Sequence, residues 1–304
     1  MDESRASITA LMAAYCRAYH ATHATSKIFD DFLADRLFSP EEHVTFDRML
    51  VERLPLISPE MASSNPDAAT ALAHIMQMYG LASSLSRARY MEDCLEQAVG
   101  QGVQQYVLLG AGLDTFALRR PDLADRLQVF ELDRPATQAL KQQRLAALGM
   151  GLPPQLHFVP IDFTRDNLAE ALQHSAYDTH KASFFSWLGV VCYLPRQAVF
   201  DTLRTMAGLA PKGSTVVFDY LDDKAFIPGK VSKQIQLIQA SAREAGEPMQ
   251  TGFDPLTLGD ELKSLGFSLE ENLSPAKIEE RYFQGRTDGY HAYQHIYFAR
   301  AVVV

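Results

Sequence analysis

Two glycines and a few acids carry the chemistry this sequence can do. The apolar run Tyr106-Val-Leu-Leu109 ends abruptly in Gly110-Ala111-Gly112, followed by an acid and a hydroxyl, Asp114 and Thr115. About twenty residues on, as in nucleotide folds, a second apolar run ends on acids, Val129-Phe-Glu131-Leu-Asp133. A strand, a glycine turn, a helix and an acid at the tip of the next strand together hold a nucleotide-like ligand. The turn brings bare backbone close to the ligand, and the acid accepts from its ribose hydroxyls. The third glycine of the dinucleotide pattern lets helix pack on strand beneath a pyrophosphate; here Thr115 stands in its place. Asp114, just ahead of it, would repel a pyrophosphate and suits a ligand with a positive end. These residues favour S-adenosylmethionine (SAM), with S-adenosylhomocysteine (SAH) as its product, over NAD or FAD.

The elements that must position these groups alternate. Short apolar runs at Gln105–Leu109, Gln128–Leu132, Leu156–Ile161, Ala182–Trp187 and Ser214–Tyr220 are separated by helix-patterned segments such as Pro135–Leu148 and Gln197–Leu209. That order predicts a mostly parallel sheet covered on both faces. The segment from Lys224 to Ala245 breaks the alternation and predicts an extra helix over Val231–Ala245. Phe267–Leu273 and Gln294–Val303 are joined by a loop with no room for a crossover helix, so they are expected to pair antiparallel. Before the first strand the pattern is helical, punctuated by Pro40, Pro55, Pro59 and Pro66. The expected organisation is a helical lid over residues 1–98 and a Rossmann-like α/β core over 99–304, with a helical insertion near 224–250.

With 304 residues, 47% of them hydrophobic, the chain can bury a large core. A net charge of −9 argues against nucleic acid as a partner. No apolar run is long enough to span a bilayer, and Met1-Asp-Glu-Ser4 lacks a basic-then-apolar signal pattern. Cys16, Cys94 and Cys192 are scattered and odd in number, which fits neither a disulfide framework nor a zinc site. The expected compartment is the reducing cytoplasm. Oligomeric state is left open between monomer and dimer. His20 and His23 share a helix face, but no further metal ligand accompanies them, so no metal is expected. No nucleophile-elbow pattern supports triad hydrolysis.

Leu109-Gly-Ala-Gly-Leu-Asp-Thr115, Phe130-Glu-Leu-Asp-Arg-Pro135 and Val159-Pro-Ile-Asp-Phe163 together resemble the leucine carboxyl methyltransferase family. The bacterial members of that family include polyketide carboxyl O-methyltransferases of the tetracenomycin type. The resemblance extends to Ser86-Arg-Ala-Arg-Tyr-Met-Glu-Asp-Cys94, Trp187-Leu-Gly-Val-Val-Cys-Tyr-Leu194 and Arg281-Tyr-Phe-Gln-Gly-Arg286. It implies a class I SAM methyltransferase fold, with a seven-stranded sheet whose last strand is antiparallel. It also implies roles for the cofactor residues. Gly110, Ala111 and Gly112 would form the turn under the methionine part, beside Asp114. Arg87 would pair with the SAM carboxylate, joined by Arg17 or His20. Asp133, in the family's acid pattern with Glu131, would accept both ribose hydroxyls, and Asp162 and Phe163 would frame the adenine. Eukaryotic members carry a glutamate just after the fourth strand. Here Leu188 stands in Ser186-Trp-Leu-Gly189, so amine recognition would rest on backbone carbonyls, Ser186 or Asp114.

The methyl of SAM is already activated, so the protein's task is to place a nucleophile in line with it and exclude water. A carboxylate acceptor needs no base; a phenol, with a pKa near 10, would gain from one. The base candidates His20, His291, His295 and Asp219 have no convincing position, which favours a carboxylate over a phenol, and the family resemblance implies a small, polyketide-like acceptor. The acceptor would lie beyond the carboxyl ends of the strands, roofed by the insertion and the N-terminal helices. Tyr193, Tyr220, Phe226 and the Tyr290–Tyr293 loop would give it an aromatic lining, Arg281 and Arg286 would anchor an acidic group, and His291 is a further pocket candidate. An NAD(P)-dependent reductase and a SAM-binding protein without turnover are the competing readings.

Overall fold

The computed structural model describes residues 6–78 and 81–304. Met1–Ser4, which bear on the signal-pattern reading, lie outside the described residues. The strands are β1 (Gln105–Leu109), β2 (Gln128–Asp133), β3 (Leu156–Pro160), β4 (Ser183–Trp187), β5 (Thr215–Leu221), β6 (Phe267–Leu273) and β7 (Ile296–Val303). They form one sheet in the order β3-β2-β1-β4-β5-β7-β6. β1 through β5 pair in parallel. β7 slots between β5 and β6, antiparallel to both, with a register shift between Leu269 and Glu271. The sequence-based strand limits and the antiparallel end both hold to within a residue or two.

The alternation of side chains divides the core between the two faces of the sheet. Tyr106, Leu108, Val129, Phe184 and Val217 point to one face. Val107, Leu109, Phe130, Phe185, Val216 and Phe218 point to the other. Every residue of β1, β4 and β5 is buried, as expected of parallel strands covered on both sides. Burying each such Leu or Phe stabilises the fold by about 1.5–3 kcal/mol.

The longer helices are α1 (Ile8–His23), α2 (Pro40–Val51), α3 (Ala68–Met78), α4 (Leu81–Gly100), α5 (Pro135–Ala147), α6 (Arg196–Leu209), α7 (Lys233–Glu244) and α8 (Leu258–Ser264). Leu81, Leu85, Leu95 and Val99 of α4 join the first face with Ala14 and Tyr15 of α1, while Val199, Leu203 and Met206 of α6 join the second with Leu258 and Leu262 of α8. Local signals explain where several helices start. Ser39 and Glu42 form a capping box at α2, with Pro40 in the first turn. Ser232 caps α7, the inserted helix, by accepting from the Ile235 N–H. α7 and α8 together occupy the crossover from β5 to β6, which puts α7 above the carboxyl end of β5.

Candidate functional site

β1 ends in a turn that only glycine accommodates. Gly110 has φ +73° and Gly112 φ +55°. A Cβ on Gly110 would stand 2.3 Å from Val190 Cγ2, and one on Gly112 would stand 3.2 Å from Ala10 Cβ of α1. The turn is fastened to the neighbouring strand, since the Gly110 N–H donates to Leu132 O at 2.8 Å. Asp133 accepts from the Gly112 N–H at 2.6 Å and from the Arg134 N–H at 2.7 Å. Burial pushes its carboxyl upward, against the pull of those two N–H donors. Each oxygen keeps a lone pair for a further donor.

A cavity of about 200 Å³ opens over this turn. Its lining includes Arg17, Arg87, Gly110, Ala111, Gly112, Asp114, Asp133, Asp162, Phe163 and Ser186. Asp114 accepts from the Phe116 N–H at 2.7 Å. Asp162 accepts the N–H and hydroxyl of Thr164 through one oxygen, at 2.9 and 2.7 Å. Ser186 pairs with the Tyr106 hydroxyl at 3.0 Å. Leu188 also lines this cavity. Thr115 explains why the third glycine is missing. Its hydroxyl donates to Asp31, a buried acid from the N-terminal helical region. Asp31 also pairs with Arg17 at 2.9 Å and Arg119 at 3.6 Å.

A second cavity, of about 320 Å³, lies beside the first under α1, α2 and α7. The two share Thr9, Ala13, Ser84, Arg87, Gly189 and Tyr193. At this wall Arg87 Nη1 meets Asp219 Oδ2 at 3.2 Å, while Asp219 Oδ1 accepts from the Gly189 N–H at 2.5 Å. The Arg87 guanidinium rests on bare backbone, since a Cβ on Gly189 would come within 2.5–2.7 Å of it. Tyr193 and Tyr220 line the larger cavity. Burial holds both phenols well above their ordinary range.

Several expected residues are engaged elsewhere. Glu131 sits two residues back inside β2, away from both cavities, in a buried pair with Lys141 of α5. Arg281 binds Glu271 at 2.8 Å, Arg286 binds Asp288 and the Ser26 carbonyl, and the exposed His291 binds Glu279 at 2.9 Å. None of these three lines either cavity, because each is satisfied by an acid close by in the fold. Phe226 packs at Gly252, and Tyr290 stacks edge-on against His20 at 5.6 Å. The lining of the larger cavity is therefore mostly aliphatic, not aromatic. His20 accepts from the Ile28 N–H at 2.9 Å, and His295 bridges Asp222 and the Ser232 N–H at 2.8 and 3.2 Å.

Burial, with Arg286 nearby, lowers His20 from 6.5 to about 4. The unfolded chain thus binds a proton that the folded chain refuses, and stability should fall as pH drops from about 6.5 toward about 4. Melting curves across that window should show a steeper loss for the natural chain than for His20→Gln. Equal slopes would mean that His20 does not titrate this way.

The roof of the smaller cavity was not foreseen. Glu247, just past α7, binds Arg134 at 2.9 Å, the Ser7 hydroxyl at 3.1 Å and Thr9. Ser7 is at the same time the N-cap of α1. Nothing local in the sequence marks Glu247, whereas Asp219, an acid near the carboxyl end of β5, carries the same kind of signal that marked Asp133.

Comparison with known proteins agrees with this geometry. The sequence profile of the leucine carboxyl methyltransferase family matches residues 10–207. A Bacillus subtilis (strain 168) protein named "Putative S-adenosyl-L-methionine-dependent methyltransferase YktD" is 35% identical over 303 residues, covering 99% of each chain. Among solved structures, a duf574 family protein from Streptomyces avermitilis superposes with a TM-score of 0.59 at 15% identity, covering 100% of both chains. A Thermobifida fusca protein named "putative methyltransferase" superposes with a TM-score of 0.56 at 15% identity, covering 99% of this chain and 96% of that one. These two show the shared α/β fold. With its profile matched over most of its length and its glycine turn, strand-end acids and Asp162-Phe163 on one cavity, this chain belongs to the leucine carboxyl methyltransferase family.

Proposed function

We propose that this SAM-dependent methyltransferase acts on the carboxylate of a small molecule, yielding a methyl ester and SAH. The smaller cavity fits the cofactor by its chemistry. Asp133 has acceptor capacity for ribose hydroxyls, Asp162 and Phe163 suit adenine, and Arg87 and Arg17 suit the methionine carboxylate. When bound, SAM would supply an electrophilic methyl: a C–O bond to the acceptor would form as the C–S bond broke with its electron pair going to sulfur, and no proton would need to move. The shared wall at Gly189 and Tyr193 is where the two ligands would meet.

The observation that carries the carboxylate reading is at Asp219. Its two oxygens accept from the Gly189 N–H and the Arg87 guanidinium, so taking a proton as a base would cost the ion pair that holds the wall together. His20, His291 and His295 are also committed to other partners. A carboxylate, ionised at neutral pH, needs none of them. Among the described residues no helix is long and apolar enough to cross a membrane. The three free, buried cysteines suit a reducing compartment such as the cytoplasm. The test is incubation with methyl-labelled SAM and a cell extract. Alkali-labile label released as methanol is the expected result; stable label would indicate an ether or N-methyl product and overturn the ester.

Gly189→Ala separates the wall from the fold. The left-handed φ of +66° adds a strain of about 1–2 kcal/mol. The new methyl would also push the Arg87 guanidinium off its seat. SAH affinity is expected to fall about tenfold, with a melting loss of only a few degrees. Unchanged affinity by calorimetry would remove Arg87 from the cofactor site.

A further inference from the structure

The larger cavity carries information about the acceptor itself. Its apolar walls are supplied by flexible chains, among them Met12 of α1, Met49 of α2, Ile235 and Ile238 of α7, and Met249 beyond it. Met12, Met49, Ile238 and Met249 are only half-buried, so each shows apolar surface that a guest could cover. Thioethers and branched alkyl chains adapt to a chain-like guest; flat aromatic guests prefer ring faces. The ring of Tyr220 is already stacked on Tyr297 at 5.3 Å, and its hydroxyl donates to Asn272 at 2.9 Å.

Charged side chains in this lining stand at two places. One is the Arg87–Asp219 pair on the wall shared with the cofactor cavity. The other is Arg53 of the α2–α3 connection, whose guanidinium binds Ser241 at 2.5 Å and Glu244 at 2.9 Å; both carboxylate and guanidinium there reach solvent. Between them the walls are predominantly apolar. A guest that fits has one acidic end, placed at the shared wall, and an apolar body running beneath α7 toward Arg53.

We propose that the methyl acceptor is an aliphatic monocarboxylic acid, held by its chain in this cavity. The proposal rests on the methyl-transfer reading above and narrows its substrate. It distinguishes chain-like acids from planar fused-ring acids of the same volume, and it assigns Ile238 and Met249 a role in setting chain length.

The test uses the full protein loaded with SAH. Straight-chain acids of roughly six to fourteen carbons, a span suited to a cavity of this class, are titrated by calorimetry against a fused-ring aromatic acid of similar size. With SAM in place of SAH, methyl esters are read by mass spectrometry. Affinity should rise about fourfold per added methylene until the cavity is full. The fused-ring acid should bind at least about tenfold more weakly. Ile238→Trp should move the affinity maximum to shorter chains while leaving SAH affinity unchanged, since Ile238 lines only the larger cavity. Tighter binding of the planar acid, or no dependence on length, overturns the proposal. So does an affinity maximum that Ile238→Trp fails to move while the variant still binds SAH. If SAH binds but no chain acid does, the aliphatic acceptor falls and the cofactor reading stands. If SAH itself does not bind, both fall.

Discussion

Replacing Asp133 by Asn is expected to weaken SAH binding by about a hundredfold or more. The native carboxylate accepts two backbone N–H groups, from Gly112 and Arg134, and has lone pairs left for ribose hydroxyls. An amide of the same shape has one oxygen. Its NH2 must face either one of those N–H donors or the ligand. Two charge-assisted hydrogen bonds of about 1.5–3 kcal/mol each are at stake, and about 1.4 kcal/mol is tenfold. Calorimetric titration with SAH measures the loss, and a melting curve shows that the variant is folded. A folded variant whose affinity stays within about threefold would mean that the ribose is held elsewhere.

The largest stability effect is expected at Asp31. This buried acid pairs with Arg17 and Arg119 and accepts from the Thr115 hydroxyl. Asp31→Ala leaves those partners facing one another without their anion; among the described residues only Arg119 retains another carboxylate, that of Glu92. Breaking such a buried cluster costs about 3–5 kcal/mol, which for a chain of this size is about 5–8 °C in melting temperature. The acid dependence has a definite sign. Burial alone would raise the Asp31 carboxyl, but Arg17, Arg119 and Thr115 outweigh it and hold it below its ordinary 3.8. Its contribution is therefore present above about pH 4 and is lost as pH falls through the lowered value. Urea midpoints for the natural chain and the variant should differ at neutral pH and converge at strongly acid pH. A constant gap would mean that the charge of Asp31 is not what holds the cluster.

What was legible in the sequence follows from how local the signal is. Apolar runs of five to seven residues marked the strands because buried parallel strands must be apolar along their whole length. Gly110, Gly112 and Asp133 were legible because a turn and a strand end leave fixed residue types at fixed spacing. Arg281, Arg286 and His291 stand out in the sequence by residue type alone. Asp288, two residues from Arg286, was the visible warning that a loop arginine beside an acid pairs locally. Glu271 and Glu279 did the same for the other two across ten or more residues, which no spacing reveals. The partner of Arg87 was not legible either. Asp219 and Gly189 reach it only after β4 and β5 lie side by side in the sheet.

The clasp between Ser7, Thr9 and Glu247 also bears on when the site can exist during synthesis. The Ser7–Glu247 contact closes a loop of 240 residues, and the Thr115–Asp31 contact closes one of 84. A growing chain releases Ser7 and Asp31 first, yet neither can find its partner until the distant segment has emerged. Closing such long loops is entropically late. The glycine turn can therefore form with the strands, whereas its roof waits for α7 and for Glu247 just beyond it. Ser7 and Thr9 are made well before Glu247 and are put to use only once it has emerged.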